Sequence, residues 1–285
     1  MKQAALFLAL IGVLTMTIGL PLAHAGVNAL DTSASATRSQ EAHIFANRLK
    51  AGEIAAMSDE NVIKTFTQLH PDVISAYLEV GAQPYTEYEL WMSREERIGG
   101  AWPNKPFLNY IKYRQKPKQI YVKWLDGGAK AGQEIIFDES KRKDEMYGHI
   151  GGFFNVTSIW ASMNGIFARN NSNHTVVDLG IQAIFNIVNS ERALYTSEGL
   201  RPHPQQIEVM EVGGARVVAL TWIAPNRKHY AHKTRVFLEL NQPMVRGIES
   251  WDEDGTQIER IIIDKIVPAK FQDADFSPTN KAYTF

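Results

Sequence analysis

The sequence contains no cysteine in 285 residues. Disulfides, thiol nucleophiles and thiolate metal sites are excluded together. It also lacks a prevailing charge: 30 Lys and Arg stand against 31 Asp and Glu, a formal net charge of −1. With no basic excess to steer it onto a phosphate backbone, nucleic acid is not expected as a partner. The motifs of group-transfer chemistry are missing as well: no glycine-flanked serine elbow, no phosphate-cradling loop and no dinucleotide fingerprint occurs, so no cofactor is implied. No repeat of fixed period and no low-complexity region interrupts the chain.

One long apolar run is present, from Ala4 to Gly19. Lys2 precedes it, and Pro21, Leu22 and the small-x-small triplet Ala23-His24-Ala25 close it. That is the layout of a secretory signal peptide cut after Ala25. Without a cysteine at the cut, the mature N-terminus carries no acyl anchor, and the expectation is a periplasmic protein. A chain of this length buries enough surface to fold without a staple. The expected division is a signal peptide over 1–25, an N-terminal linker and helix over 26–57, and one domain over 58–285.

Residues 26–37, rich in Ala, Ser and Thr, read as a lead-in. Helical spacing follows, with Ile44, Phe45 and Leu49 on one side, then Val62, Ile63, Phe66 and Leu69, then Val73, Ile74, Tyr77 and Leu78 after Pro71. From Tyr85 to Ile266 the period changes to two. Tyr88, Leu90 and Met92 alternate with Glu87, Glu89 and Ser93, and Ile120, Val122 and Trp124 alternate with Tyr121, Lys123 and Leu125. Gly99-Gly100, Gly127-Gly128, Gly151-Gly152, Gly213-Gly214 and Asp254-Gly255 separate the runs, the last two as tight hairpins. A helical stripe of Ile181, Ile184, Phe185 and Val188 interrupts them. Short links and nine or ten strand candidates predict an α+β fold: a strongly curved antiparallel sheet, a half-open β-barrel, with helices packed over its concave face.

Candidates for chemistry are sparse. His203, His229 and His232 fall in loop-like sequence, and Asp252-Glu253-Asp254-Gly255 opens like a calcium loop but lacks its later ligands, so turn chemistry is favoured and no metal is expected. Glu95 and Glu96 are adjacent on a strand and point to opposite faces, which spoils them as an acid–base pair. No catalytic residue is assigned; Glu95, His149 and His174 are the choices a hydrolase reading would need. Aromatic residues lie on both parities of several strands, and in Val217 to Ile223 both parities are apolar, which implies cover on both faces. A curled sheet with helices over it can enclose an apolar cavity. Leu90, Met92, Val122, Trp124, Leu220, Trp222, Val236 and Leu238 are the candidates to line it. Lys112 and Arg114, which share one strand face within the basic cluster Lys112 to Lys123, are either a solvated edge or contacts for a headgroup at the mouth.

The stretch Glu95-Glu96-Arg97-Ile98-Gly99-Gly100, followed by Lys112, Arg114, Pro117, Tyr121, Lys123 and Trp124, resembles the domain-of-unknown-function 1571 family of bacterial envelope proteins. That family has a Glu-Arg-x-x-Gly stretch and then Lys-x-Arg-x-x-Pro-x-x-x-Tyr-x-Lys-Trp. Gly132 to Phe137 is similar to its next strand, with Phe137 where tyrosine is commoner, and Phe276 to Phe285 is similar to its terminus. The resemblance spans about Ser58 to Phe285 and implies a fold like the LolA/LolB lipoprotein carriers, with an apolar interior that accepts acyl chains. It carries no function across, since the family is uncharacterised.

The expectation is a non-enzymatic periplasmic protein that binds a lipid or acylated, lipoprotein-like ligand, with transient membrane contact and a gating helix. The alternative is an envelope stress sensor or protein-interaction module of the same fold, with an envelope protein as partner; a hydrolase ranks third.

Overall fold

The computed structural model describes residues 25–149, 157–169, 172–226 and 229–285. The expected signal peptide and the Gly151-Gly152 turn fall outside the described residues. Three helices come first: α1 (Ala25–Lys50), α2 (Asp59–Gln68) and α3 (Pro71–Ala82). The backbone N–H of Asn61 donates to Ser58 Oγ and caps α2, while Pro71 occupies the first turn of α3, where a missing N–H costs nothing. Residues 26–37, expected as a lead-in, are helical.

The compact unit runs from Arg38 to Phe285. Ala42, Phe45, Leu49 and Ile54 therefore share its core with Phe66 and Tyr77. The Phe45 ring meets Phe66 edge-on at 5.3 Å and Tyr77 at 5.4 Å. Ile44, expected beside Phe45, is instead 55% exposed.

Eleven strands are described: β1 (Glu87–Glu96), β2 (Phe107–Arg114), β3 (Gln119–Trp124), β4 (Glu134–Asp138), β5 (Glu145–His149), β6 (Ile159–Ser162), β7 (Gln206–Val212), β8 (Ala215–Ile223), β9 (Lys233–Glu239), β10 (Val245–Trp251) and β11 (Gln257–Pro268). They form one sheet in the order β6-β5-β4-β3-β2-β1-β11-β10-β9-β8-β7, every pairing antiparallel. Two meanders are thus joined by the β1–β11 pair. The result is the expected α+β fold, a curved antiparallel sheet left open. Gly213 and Gly214, both at positive φ (55° and 71°), make the two-residue hairpin between β7 and β8.

This topology dictates where a cavity can lie. The strands β6 and β7 are opposite edges of the sheet, so the chain between them must cross a sheet face. It does so through α4 (Ile166–Arg169), a 3-10 turn (Val176–Asp178) and α5 (Ile181–Ser197). The start of α5 is fixed to β1 by the Ile181 N–H, which donates to Tyr88 Oη at 3.0 Å. Gly180 allows this approach: a Cβ there would sit 2.6 Å from Tyr113 and 2.7 Å from Tyr88.

Tyr88, Leu90, Met92, Ile111, Val122, Leu220 and Leu238 belong to the core on that covered face. The opposite face has two clusters of its own. Val217, Ala219, Phe237 and Ile262 form one, so both parities of β8 are buried, as the sequence indicated. Tyr121, Ile136 and Phe276 form the other.

Candidate ligand-binding site

A cavity of about 300 Å³ lies between the covered face of the β1–β6 meander and the crossing segment. Arg94, Trp124, Ile135, Met146, Gly148, Ile159 and Ala161 reach it from the strands, and Ala168, Ser172, His174, Val176 and Leu179 from the crossing segment. These strand residues share one face by register: Asn109 opposes Trp124, Val122 opposes Ile135, Ile135 opposes Gly148, Gly148 opposes Ile159 and Met146 opposes Ala161. The β1 end of the cavity is polar and the β4–β6 end is apolar. Ile159 and Ile166, close to the apolar end, are 43% and 78% exposed.

The polar end is a connected network. Arg94 and Glu96, both essentially buried, pair at 3.0 Å. Ser172 Oγ accepts from Arg94 Nη1 at 3.2 Å and from the His174 N–H at 3.0 Å, and its hydroxyl donates to Glu96 at 3.1 Å. The Asn173 N–H also donates to Glu96, at 2.7 Å. Glu259, which opposes Glu96 across the β1–β11 pair, meets His174 Nε2 at 2.7 Å. Burial pulls the His174 pKa down, but the hydrogen bond and charge of Glu259, with Glu96 behind, outweigh it and raise it above 6.5. The Tyr230 hydroxyl stands 3.3 Å from the same Nε2, and burial together with Glu259 and Glu96 holds it protonated. Lys130 lies 5.6 Å from the centroid of Phe107, with Arg94 at 5.8 Å from that ring. Burial, then the Arg94 charge, lowers the Lys130 pKa.

On the other face of β2–β4 the arrangement is quite different. The C-terminal segment after β11, with its 3-10 turn Asp273–Phe276, lies over Tyr121 and Ile136. Lys112 Nζ pairs with Asp275 at 2.7 Å and sits 5.5 Å from the Tyr283 ring. Burial pulls its pKa down, but the bonds to Asp275 and Tyr283 prevail and keep it raised. Arg114 donates to Asp273 at 2.8 Å, to Gln119 at 2.6 Å and to the Phe271 carbonyl, with its guanidinium 5.2 Å from the Phe276 ring. Tyr121 stacks on Tyr283 at 4.0 Å. Lys123 pairs with fully buried Glu134, which accepts the Thr284 N–H at 2.9 Å. Lys112, Arg114, Tyr121 and Lys123 therefore hold the C-terminal segment down. Sequence reading offered Lys112 and Arg114 a headgroup, but a pleated strand sends them to the face away from the cavity, and no ligand role is proposed for them.

Of the other candidates, Trp124 lines the large cavity. Trp222 and Val236 line a smaller one, about 50 Å³, beneath α3 and α5. Leu90, Met92, Val122, Leu220 and Leu238 are buried in filled core. His174 reaches the large cavity; His149 borders it but turns its ring to Thr284 and Phe285 on the other face, and Glu95 faces away and pairs with Arg260. His229 turns to Glu191, and His203 Nδ1 lies 3.3 Å from the Pro204 carbonyl. The sequence reading weighed Glu96 only as half of an acid–base pair and set it aside, and it missed Arg94, Glu259, Lys130 and Ser172. A signal for Arg94 and Glu96 existed: they continue the buried parity Tyr88-Leu90-Met92, where charge is out of place.

The family described as protein of unknown function DUF1571 matches residues 85–285, which includes all eleven described strands and the C-terminal segment. No curated protein matches the chain. Among solved structures, an uncharacterized conserved protein from Thermus thermophilus is similar at 9% identity and a TM-score of 0.40, over 71% of this chain and 93% of that one. The MucA/MucB complex of Pseudomonas aeruginosa is similar at 12% identity and a TM-score of 0.39, over 72% of this chain and only 60% of that one. A LolA superfamily protein from Nitrosomonas europaea is similar at 9% identity and a TM-score of 0.31, over 73% and 98%.

Proposed function

The chain belongs to the DUF1571 family, and from that premise we propose that it is a non-enzymatic envelope protein that binds a lipid or other acylated molecule in the large cavity. The observation that carries this reading is the cavity's construction. About 300 Å³ is walled by Trp124, Ile135, Met146 and Ile159, with Arg94, Ser172 and His174 clustered at one end. That is the form of a small-ligand site. Each methylene moved from water onto such walls contributes roughly 0.8 kcal/mol.

The polar cluster is not arranged for nucleophilic catalysis. The Ser172 hydroxyl donates to Glu96, and His174 Nε2 is engaged by Glu259 instead of facing the serine. The leader sequence supports a periplasmic location, where the cargo would be an envelope lipid or an acylated protein.

Native mass spectrometry of the mature protein, purified from periplasm without detergent and then extracted with organic solvent, tests the reading. An added mass that reappears as lipid in the extract is the expected result. Ala161→Trp, which puts an indole into the cavity, should lose that mass while the protein stays folded. A clean apo mass, no uptake of added acyl chains and a specific protein recovered by crosslinking would replace this function with the protein-interaction alternative.

A further inference from the structure

The ionisable side chains that line the large cavity are Arg94, Lys130 and His174; His149 borders it with its backbone and turns its ring to Thr284 and Phe285 on the other face. All three are basic, and no carboxylate lines the cavity among the described residues. The two acids of the network, Glu96 and Glu259, are 1% exposed and lie behind Arg94 and His174, off the cavity wall. The smaller cavity differs: Glu191 and Arg192 both line it.

We propose that the β1 end of the large cavity is an anion site, and that its ligand is an amphiphile with a single negatively charged oxygen head held by Lys130 and Arg94. This deepens the lipid-binding reading and rests on it. Arg94 and Lys130 lie over the same Phe107 ring and reach the same cavity, so each repels the other. An anion between them cancels that repulsion in a poorly hydrated place, where a charge-assisted hydrogen bond is at its strongest. Burial first, and the Arg94 charge second, lower the Lys130 pKa. From this end the tail runs over Trp124 and Ile135 towards Met146 and Ile159, from β1 across to β5 and β6. At about 4.8 Å per strand, four strand spacings give roughly 19 Å of sheet for it to lie along.

The test is calorimetric titration of the delipidated mature protein with four probes of one chain length. They are dodecanoate, the monoanionic phosphodiester 1-dodecanoyl-lysophosphatidylglycerol, dodecanol and dodecyltrimethylammonium. At least one anionic probe should bind about tenfold or more tighter than dodecanol, and the cation weakest. The better of the two anions identifies a carboxylate or a phosphate head. Lys130→Met should shrink the anion-to-alcohol ratio, and Lys130→Glu should turn the preference towards the cationic probe. Equal binding of the alcohol and both anions, or a ratio untouched in both variants, overturns the anion site and leaves the lipid reading standing. No binding of any probe overturns both.

Discussion

The two faces of β3 are an instructive contrast. Val122 and Trp124 face the core and cavity, whereas Tyr121 and Lys123 face the C-terminal segment. On the C-terminal side each cation is met by groups from that segment or its anchor: Lys112 by Asp275, Arg114 by Asp273 and a carbonyl, Lys123 by Glu134. On the cavity side the acids stand behind the cations, and the cations line an open volume. The clamp's charge is closed off by the chain itself, whereas the cavity's charge borders an open volume. The motif most conspicuous in the sequence thus marks a clamp, and the candidate site lies on the reverse of the same strand.

The largest expected effect is on the clamped face. Phe276 is fully buried against Tyr121 and Ile136, so Phe276→Ala should cost about 3–5 kcal/mol of unfolding free energy, read from urea denaturation. Dodecanoate affinity, measured well below the transition, should stay as in the wild type. Retained stability with lost affinity would mean the two faces are not separable.

A matched pair of substitutions sharpens the contrast. Arg94→Met strands the buried Glu96 carboxylate and should cost about 3 kcal/mol. Lys112→Met removes a partly exposed pair and should cost at most about 1 kcal/mol. Similar losses for the two would mean the polar network is no more buried in solution than the clamp is.

Much of this fold was legible because it rests on short-range physics. Period-two alternation located β1 and β3, the Gly213-Gly214 pair located a hairpin, and Ile181, Ile184 and Phe185 marked the face of α5. The site was less legible because it is assembled over long separations. Glu96 meets Ser172 and Asn173, and His174 meets Glu259, contacts that depend on β6 and β7 being opposite edges. Nothing local in the sequence states that the C-terminal segment will cover Lys112 and Arg114. Leu90 and Leu238 alternate like cavity walls, but alternation only says that a side chain is buried, not whether its surroundings are full.

The smallest effect separates the faces by pH. His174 is held by Glu259 and Glu96, with Arg94 opposing and the Tyr230 hydroxyl alongside, and its pKa in the folded protein lies above 6.5. A folded-state pKa raised above the unfolded value adds stability that is complete below about pH 6.5 and fades as pH rises through the folded pKa. On the clamped face, Lys112 is shifted up from 10.5 and Asp275 down from 3.8, so neither titrates in this interval. The unfolding free energy of the wild type relative to His174→Gln should therefore decline from pH 6 to pH 8, while that of wild type relative to Lys112→Met stays level. Urea titrations of the three proteins at the two pH values measure both differences. A wild-type advantage over His174→Gln that is constant or grows with pH would show that the Glu259 contact does not hold a proton on the imidazole. Among the described residues, Arg94 and Lys130 would then be the cations left on the cavity wall.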